Sequence, residues 1–200
     1  MKSDVPRLSA HPVALPNLLT YGRIAAVPAV VGCMYWQLLH GGSALRWIAV
    51  AIFIAAGVTD FLDGYFARIW GQQSTLGRML DPIADKLLVA SCLLMLAADG
   101  TITGVSLWAA IVILCREILV SGLREYLAEL RVSVPVTRLA KWKTALQLVA
   151  VGFLLAGDAG DTIVPVVTPI GLALLWLSAI LTLYTGWDYF RAGLRHLIEE

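Results

Sequence analysis

Four aspartates between residues 60 and 85 have the residue type and the spacing of a cation site. Asp60 and Asp63 are three residues apart, and Asp81 and Asp85 are four apart, so each pair projects from one face of a helix. Residues 70–75 have no apolar period and predict a turn between two helices that pack antiparallel. This arrangement brings the carboxylates together, and like charges at close range need a cation between them. Because oxygen ligands suit hard cations, the sequence predicts Mg²⁺ or Mn²⁺, as two ions.

Small and basic residues around these acids leave space for a phosphate. Gly64, Ala67 and Gly77 allow a ligand or a second backbone to approach closely. Arg68 follows the first acid pair and is near enough to neutralise a phosphate that bridges the metals.

The whole pattern resembles a known family signature. Asp60-x2-Asp63-Gly64-x2-Ala67-Arg68-x8-Gly77-x3-Asp81-x3-Asp85 is similar, with no departure, to the signature of the CDP-alcohol phosphotransferases, membrane enzymes that make phospholipids from CDP-linked donors. The resemblance implies that all four aspartates contact metal and that Asp85 is also the general base. The residues it implies for the CDP-donor site are Asp60, Asp63, Gly64, Ala67, Arg68, Ser74 and Gly77.

Composition places the chain in a membrane. Of its 200 residues, 59% are apolar and 14% charged, and the mean hydropathy is +0.79, which is typical of an integral membrane protein and not of a soluble domain. The length suits one domain, residues 1–200. A formal net charge of +1 gives no reason to expect a nucleic-acid partner.

Turns and charges divide the chain into six predicted transmembrane helices, an all-α architecture. Residues 1–16 are a proline-broken cytosolic tail, and the start of the first helix is predicted to lie along the membrane interface. Asp81-Pro82 has the pattern of an N-cap followed by proline and predicts a helix start. Lysine and arginine are concentrated in alternate loops, which places both termini and the carboxylates on the cytosolic side. The predicted spans are about 18–40, 44–67, 81–98, 105 onward, 144–156 (in a helix from about 137) and 170–190.

A basic stretch in the second half of the chain predicts a phosphorylated acceptor. Arg116 interrupts an apolar run, and a charge in such a position indicates a polar cavity. Together with Arg124, Arg138, Lys141 and Lys143 it supplies more cationic groups than a neutral alcohol needs. The alternative is that these side chains anchor anionic lipid headgroups. We take Arg116, Arg124, Lys141 and Lys143 as candidates for binding the acceptor phosphate.

Secondary motifs narrow the resemblance to one branch of the family. They are Pro16-Asn17-Leu18-Leu19-Thr20 with Arg23, Arg116-Glu117, Gly122-Leu123-Arg124-Glu125, and Lys141-Trp142-Lys143-Thr144 with Gln147. They resemble bacterial enzymes, typically homodimers of the cytoplasmic membrane, that transfer a phosphatidyl group from CDP-diacylglycerol to sn-glycerol 3-phosphate and release CMP. Alternatives are another acceptor (phosphatidylglycerol or inositol phosphate), a membrane prenyltransferase, and a transporter coupled to cations or protons.

Overall fold

The computed structural model describes residues 15–70, 75–130 and 138–198. Within them, it leaves undescribed the side chains of residues 15–17, 61–70, 75–78, 138, 140, 141, 188 and 192–198. The described residues form helices and connecting turns, with no strand among them, which confirms the all-α prediction. The helices are α1 (Leu15–His40), α2 (Ala44–Trp70), α3 (Thr75–Ala98), α4 (Ser106–Glu129), α5 (Arg138–Asp161) and α6 (Val167–Ile198).

Several predicted helix boundaries are wrong. The third helix begins at Thr75, so Asp81 is not an N-cap and Pro82 lies inside α3. A proline removes one backbone N–H donor and strains the turn before it, but here this does not prevent the helix from extending across both acids. The first helix begins at Leu15, three residues early, because proline is tolerated in a first turn whose N–H groups have no helical partner. The last helix runs to Ile198, eight residues past the predicted end.

The first helix separates the two acidic helices. In the described residues α1 packs against both α2 and α3, and no close backbone contact joins α2 directly to α3. This differs from the predicted antiparallel pair. α5 packs against α6, α2 and α3, and α4 packs mainly against α6. The carboxylates of α2 and α3 therefore meet across side chains of α1.

The buried and exposed surfaces are both apolar, as a bilayer requires. Side chains such as Met34, Leu93 and Leu154 are fully buried between the helices. Large apolar side chains also cover the outside, including Trp108 near the start of α4 and Trp187 near the end of the apolar segment Val167–Arg191. Tryptophans are common where such segments meet the membrane interface. In the described part of the chain, three segments are long and apolar enough to cross a membrane: Leu18–His40, Ser106–Glu129 and Val167–Arg191. The chain is a membrane protein.

The buried side chain of Arg46 connects α2 with α5 and with the turn after α3, at the end of the bundle opposite the acids. Arg46 Nη1 lies 3.0 Å from Oδ2 of Asp99. Its Nε donates to the carbonyl of Leu155 at 2.8 Å, and Nη2 donates to that of Leu154 at 3.1 Å. Gly157 breaks α5 with φ 42° and ψ −133°, so carbonyls in this turn lose their helical donors and Arg46 satisfies two of them.

Candidate active site

A buried arginine on α1 lies between an aspartate of α2 and an aspartate of α3. Arg23 Nη2 is 2.8 Å from Oδ1 of Asp60, and its Nη1 is 2.7 Å from Oδ1 of Asp85. The Arg23 side chain is 1% exposed, whereas those of Asp60 and Asp85 are 42% and 46% exposed. The guanidinium therefore forms the floor of the site and the carboxylates face its opening.

The third described aspartate is held from the same face of α1. Thr20 Oγ1 donates a 2.5 Å hydrogen bond to Oδ1 of Asp81. Thr20 and Arg23 are three residues apart, so they project from one side of the helix. One turn of α1 thus orients carboxylates on two other helices.

Part of the predicted signature lies outside this description. Asp63, Gly64, Ala67 and Arg68 are on α2 and Gly77 is on α3, but their side-chain surroundings are not described. Ser74 falls in the undescribed segment between the helices. Their predicted roles at the donor and metal sites stay predictions.

The donor set at this site fits a hard divalent cation in chemical type. Asp60, Asp81 and Asp85 supply oxygen ligands only, and three carboxylates exceed the single charge of Arg23. A carboxylate accepts about four contacts, so the bond from α1 leaves each of them able to coordinate. No group of three His, Cys, Asp or Glu side chains close enough to share one ion occurs among the described residues. The sequence predicts Asp63 as a further ligand, and its side chain lies outside the described residues.

A cavity of about 270 Å³ extends from the acids towards α4 and α5. Its wall contains Asp60 and Asp85 together with the cationic residues Lys86 and Arg124. Small pockets with few polar groups bind small ligands and orient them. A cavity lined by both cations and carboxylates can hold a small phosphorylated alcohol.

The other predicted cations are placed differently. Arg116 donates to Glu117 at 3.1 Å and to α6, through the carbonyl of Thr182 and the hydroxyl of Thr185, also at 3.1 Å. Lys143 donates to the same Glu117 carboxylate. Glu117 lines the cavity, and neither Arg116 nor Lys143 is part of its described wall. Arg124 is therefore the predicted acceptor cation that the structure places at the cavity, while the side chain of Lys141 is outside the description.

An apolar groove of about 670 Å³ adjoins this polar cavity. Phe53 and Val58 of α2 and Val149 and Phe153 of α5 are among the residues that line it. Gly57 and Leu148 line both spaces. A molecule with a charged head and apolar chains could occupy the two together.

Several residues of this site had no predicted role. Arg23 and Thr20 appear in the sequence only as part of a secondary motif, although an arginine within an apolar helix signals a buried acidic partner. Lys86 follows Asp85 directly, and both Lys86 and Gln147 line the cavity. Which polar residues of other helices lie near the acids depends on how the helices pack. The spacing of residues along one helix does not contain that information.

Comparison with known proteins identifies the family. The family model described as CDP-alcohol phosphatidyltransferase matches residues 13–184. The chain belongs to this family. It is 43% identical over 178 residues to the CDP-diacylglycerol–glycerol-3-phosphate 3-phosphatidyltransferase of Rickettsia bellii, covering 89% of this chain and 94% of the relative.

Other relatives of this family carry the same enzyme name. The protein so named from Cereibacter sphaeroides is 37% identical, with 94% of this chain and 98% of the relative covered. The Arabidopsis thaliana protein named as the second such enzyme is 38% identical, with coverage of 97% and 85%. The predicted family resemblance is confirmed.

Proposed function

We propose that this chain transfers the phosphatidyl group of CDP-diacylglycerol to sn-glycerol 3-phosphate, giving phosphatidylglycerol phosphate and CMP. The observation that carries this proposal is that Asp60, Asp85, Lys86 and Arg124 all line one cavity. Relatives with this enzyme name align over almost the whole chain. A phosphorylated acceptor accounts for the cations, and an alcohol acceptor accounts for the carboxylates.

In the proposed reaction Asp85 accepts the proton of the acceptor's terminal hydroxyl. The resulting oxygen forms a bond to the phosphorus that carries the diacylglycerol. The bond from that phosphorus to the oxygen of the CMP phosphate breaks, and CMP leaves with the electron pair. Arg23 contributes by holding Asp85 in one orientation through its 2.7 Å contact.

Asp60, Asp63, Asp81 and Asp85 would hold the Mg²⁺ or Mn²⁺ ions. When bound, such ions would neutralise the diphosphate of the donor and polarise its phosphorus. The family resemblance assigns Gly64, Ala67, Arg68, Ser74 and Gly77 to the CDP part of the donor. The acyl chains would occupy the apolar groove between α2 and α5, which shares Gly57 and Leu148 with the polar cavity.

The proposed setting is a bacterial cytoplasmic membrane, crossed six times, with the termini and the acids on the cytosolic side. The distribution of lysine and arginine supports this orientation, and water-soluble glycerol 3-phosphate and CMP would be exchanged on the cytosolic side.

The protein is also proposed to form a homodimer, and this part of the proposal is based on the family resemblance. Cross-linking in intact membranes, followed by gel analysis of chain mass, tests it.

The decisive experiment is CMP release from CDP-diacylglycerol by the purified protein with Mg²⁺. Glycerol 3-phosphate, phosphatidylglycerol, inositol phosphate, inositol and serine would be offered as acceptors in parallel. Release that requires glycerol 3-phosphate and stops on metal chelation is the expected result. Release with a different acceptor would reassign Lys86 and Arg124, and cation transport without CMP release would favour a transporter.

A further inference from the structure

Gln147, a residue of the cavity wall, has a buried amide oxygen without a partner among the described residues. Gln147 of α5 is 4% exposed, and it lines the cavity that contains Asp85. Its Oε1 has no hydrogen-bond partner among the described residues. Buried polar atoms are almost always paired, and an unpaired one destabilises the fold. A buried, unpaired oxygen on a residue that lines a cavity therefore points to a ligand that supplies its partner.

The chemistry of that atom restricts what the ligand presents to it. An amide oxygen only accepts hydrogen bonds, so its partner must be a donor such as a hydroxyl and not a phosphate oxygen. Phosphate oxygens have their own partners in the same cavity, Lys86 and Arg124. Asp85 takes the hydroxyl that reacts. The oxygen of Gln147 thus matches a second hydroxyl group on the same molecule.

We infer that Gln147 determines acceptor specificity by accepting a hydrogen bond from the non-reacting hydroxyl of the acceptor. This inference rests on the proposed function, and it extends it to one atom of the substrate. sn-Glycerol 3-phosphate has two hydroxyls. The terminal hydroxyl receives the phosphatidyl group, and the other hydroxyl is on C2. The C2 hydroxyl is the group that Gln147 selects.

Two acceptors that differ only in that hydroxyl test the inference. We would compare kcat/KM for glycerol 3-phosphate and for 3-hydroxypropyl phosphate, which lacks the C2 hydroxyl. The wild-type protein should prefer glycerol 3-phosphate by roughly 10- to 100-fold, because the deoxy acceptor leaves a buried acceptor atom unpaired. Gln147→Met, which has a similar volume and no amide, should lose this preference while turning over the deoxy acceptor within about threefold of wild type.

Gln37 provides a matched control. Its Oε1 is also buried and unpaired among the described residues, but it lies near the end of α1 and lines neither the polar cavity nor the apolar groove. Gln37→Met should keep the preference for glycerol 3-phosphate.

The outcomes separate this inference from the proposed function. Equal use of both acceptors by the wild type, or an unchanged preference in Gln147→Met, would overturn the role of Gln147. Equal use by the wild type would overturn that role even if the variant does not fold. Absence of CMP release with both acceptors would instead remove the proposed function itself.

Discussion

Nη1 of Arg23, on α1, lies 2.7 Å from Oδ1 of Asp85, on α3. The arginine is buried and the carboxylate is half exposed, so the contact fixes the acid from beneath and leaves its outer side open to the cavity. The same guanidinium holds Asp60 of α2. One side chain thus sets the relative position of two acids that belong to helices without close backbone contact in the described residues.

Replacing Arg23 should therefore disable the site. We expect Arg23→Gln to lower turnover on the order of 100-fold or more, because it leaves two partly buried carboxylates without their cation. Arg23→Lys should retain more activity, since an ammonium can pair with one of them. CMP release by protein that is monodisperse on size-exclusion chromatography measures the effect. Arg191→Gln, at an exposed position on α6, is the control, and an equal loss there would contradict the interpretation.

Asp85 can be tested by an isosteric change. Asp85→Asn retains an oxygen that accepts the bond from Arg23, but the amide cannot take a proton from the acceptor hydroxyl. Loss of a general base lowers rates by about 10²- to 10⁴-fold, so we expect turnover to fall by that amount while the protein keeps its thermal stability. CMP release and a thermal melt in detergent are the measurements. Substantial activity in this variant would refute the general-base assignment.

Replacing Thr20 should change the Mg²⁺ concentration that the enzyme needs. Thr20→Val conserves shape and removes the hydroxyl that donates to Asp81 at 2.5 Å. Loss of a group that orients a metal ligand typically costs 10- to 100-fold in metal affinity or activity. We expect the Mg²⁺ concentration for half-maximal CMP release to rise by roughly 10-fold. Thr162→Val, whose hydroxyl donates to the carbonyl of Ala159, should leave the Mg²⁺ dependence unchanged.

The sequence was sufficient to predict that the acids lie on two successive helices, because the spacing of residues along one helix is a local property. Asp60 is on α2, and Asp81 and Asp85 share α3, as their spacing indicated. The sequence did not predict that Arg23 lies between Asp60 and Asp85, because that contact depends on which helix packs between α2 and α3. The predicted start of α3 at Asp81 was wrong because it relied on Pro82, and proline is most common in the first turn of a helix. In the structure Pro82 lies inside a continuous helix that begins at Thr75.

Gly157 should be a glycine of α5 on which the stability of the fold depends. Its φ of 42° is a backbone conformation that side chains rarely adopt, and a Cβ there would collide with the guanidinium of Arg46. Arg46 would have to release the carbonyls of Leu154 and Leu155 or its pairing with Asp99.

Strained positions of this kind cost about 1–3 kcal/mol each, so Gly157→Ala should lower the melting temperature of the detergent-solubilised protein by several degrees. Gly152, in the same helix, is the matched control, because its added Cβ would only meet Phe53 at an ordinary 3.9 Å. Alanine there should be neutral or slightly stabilising, since glycine inside a helix is less favourable than alanine by about 0.5–1 kcal/mol. Equal melting temperatures for the two variants would show that Arg46 does not depend on the bend at Gly157.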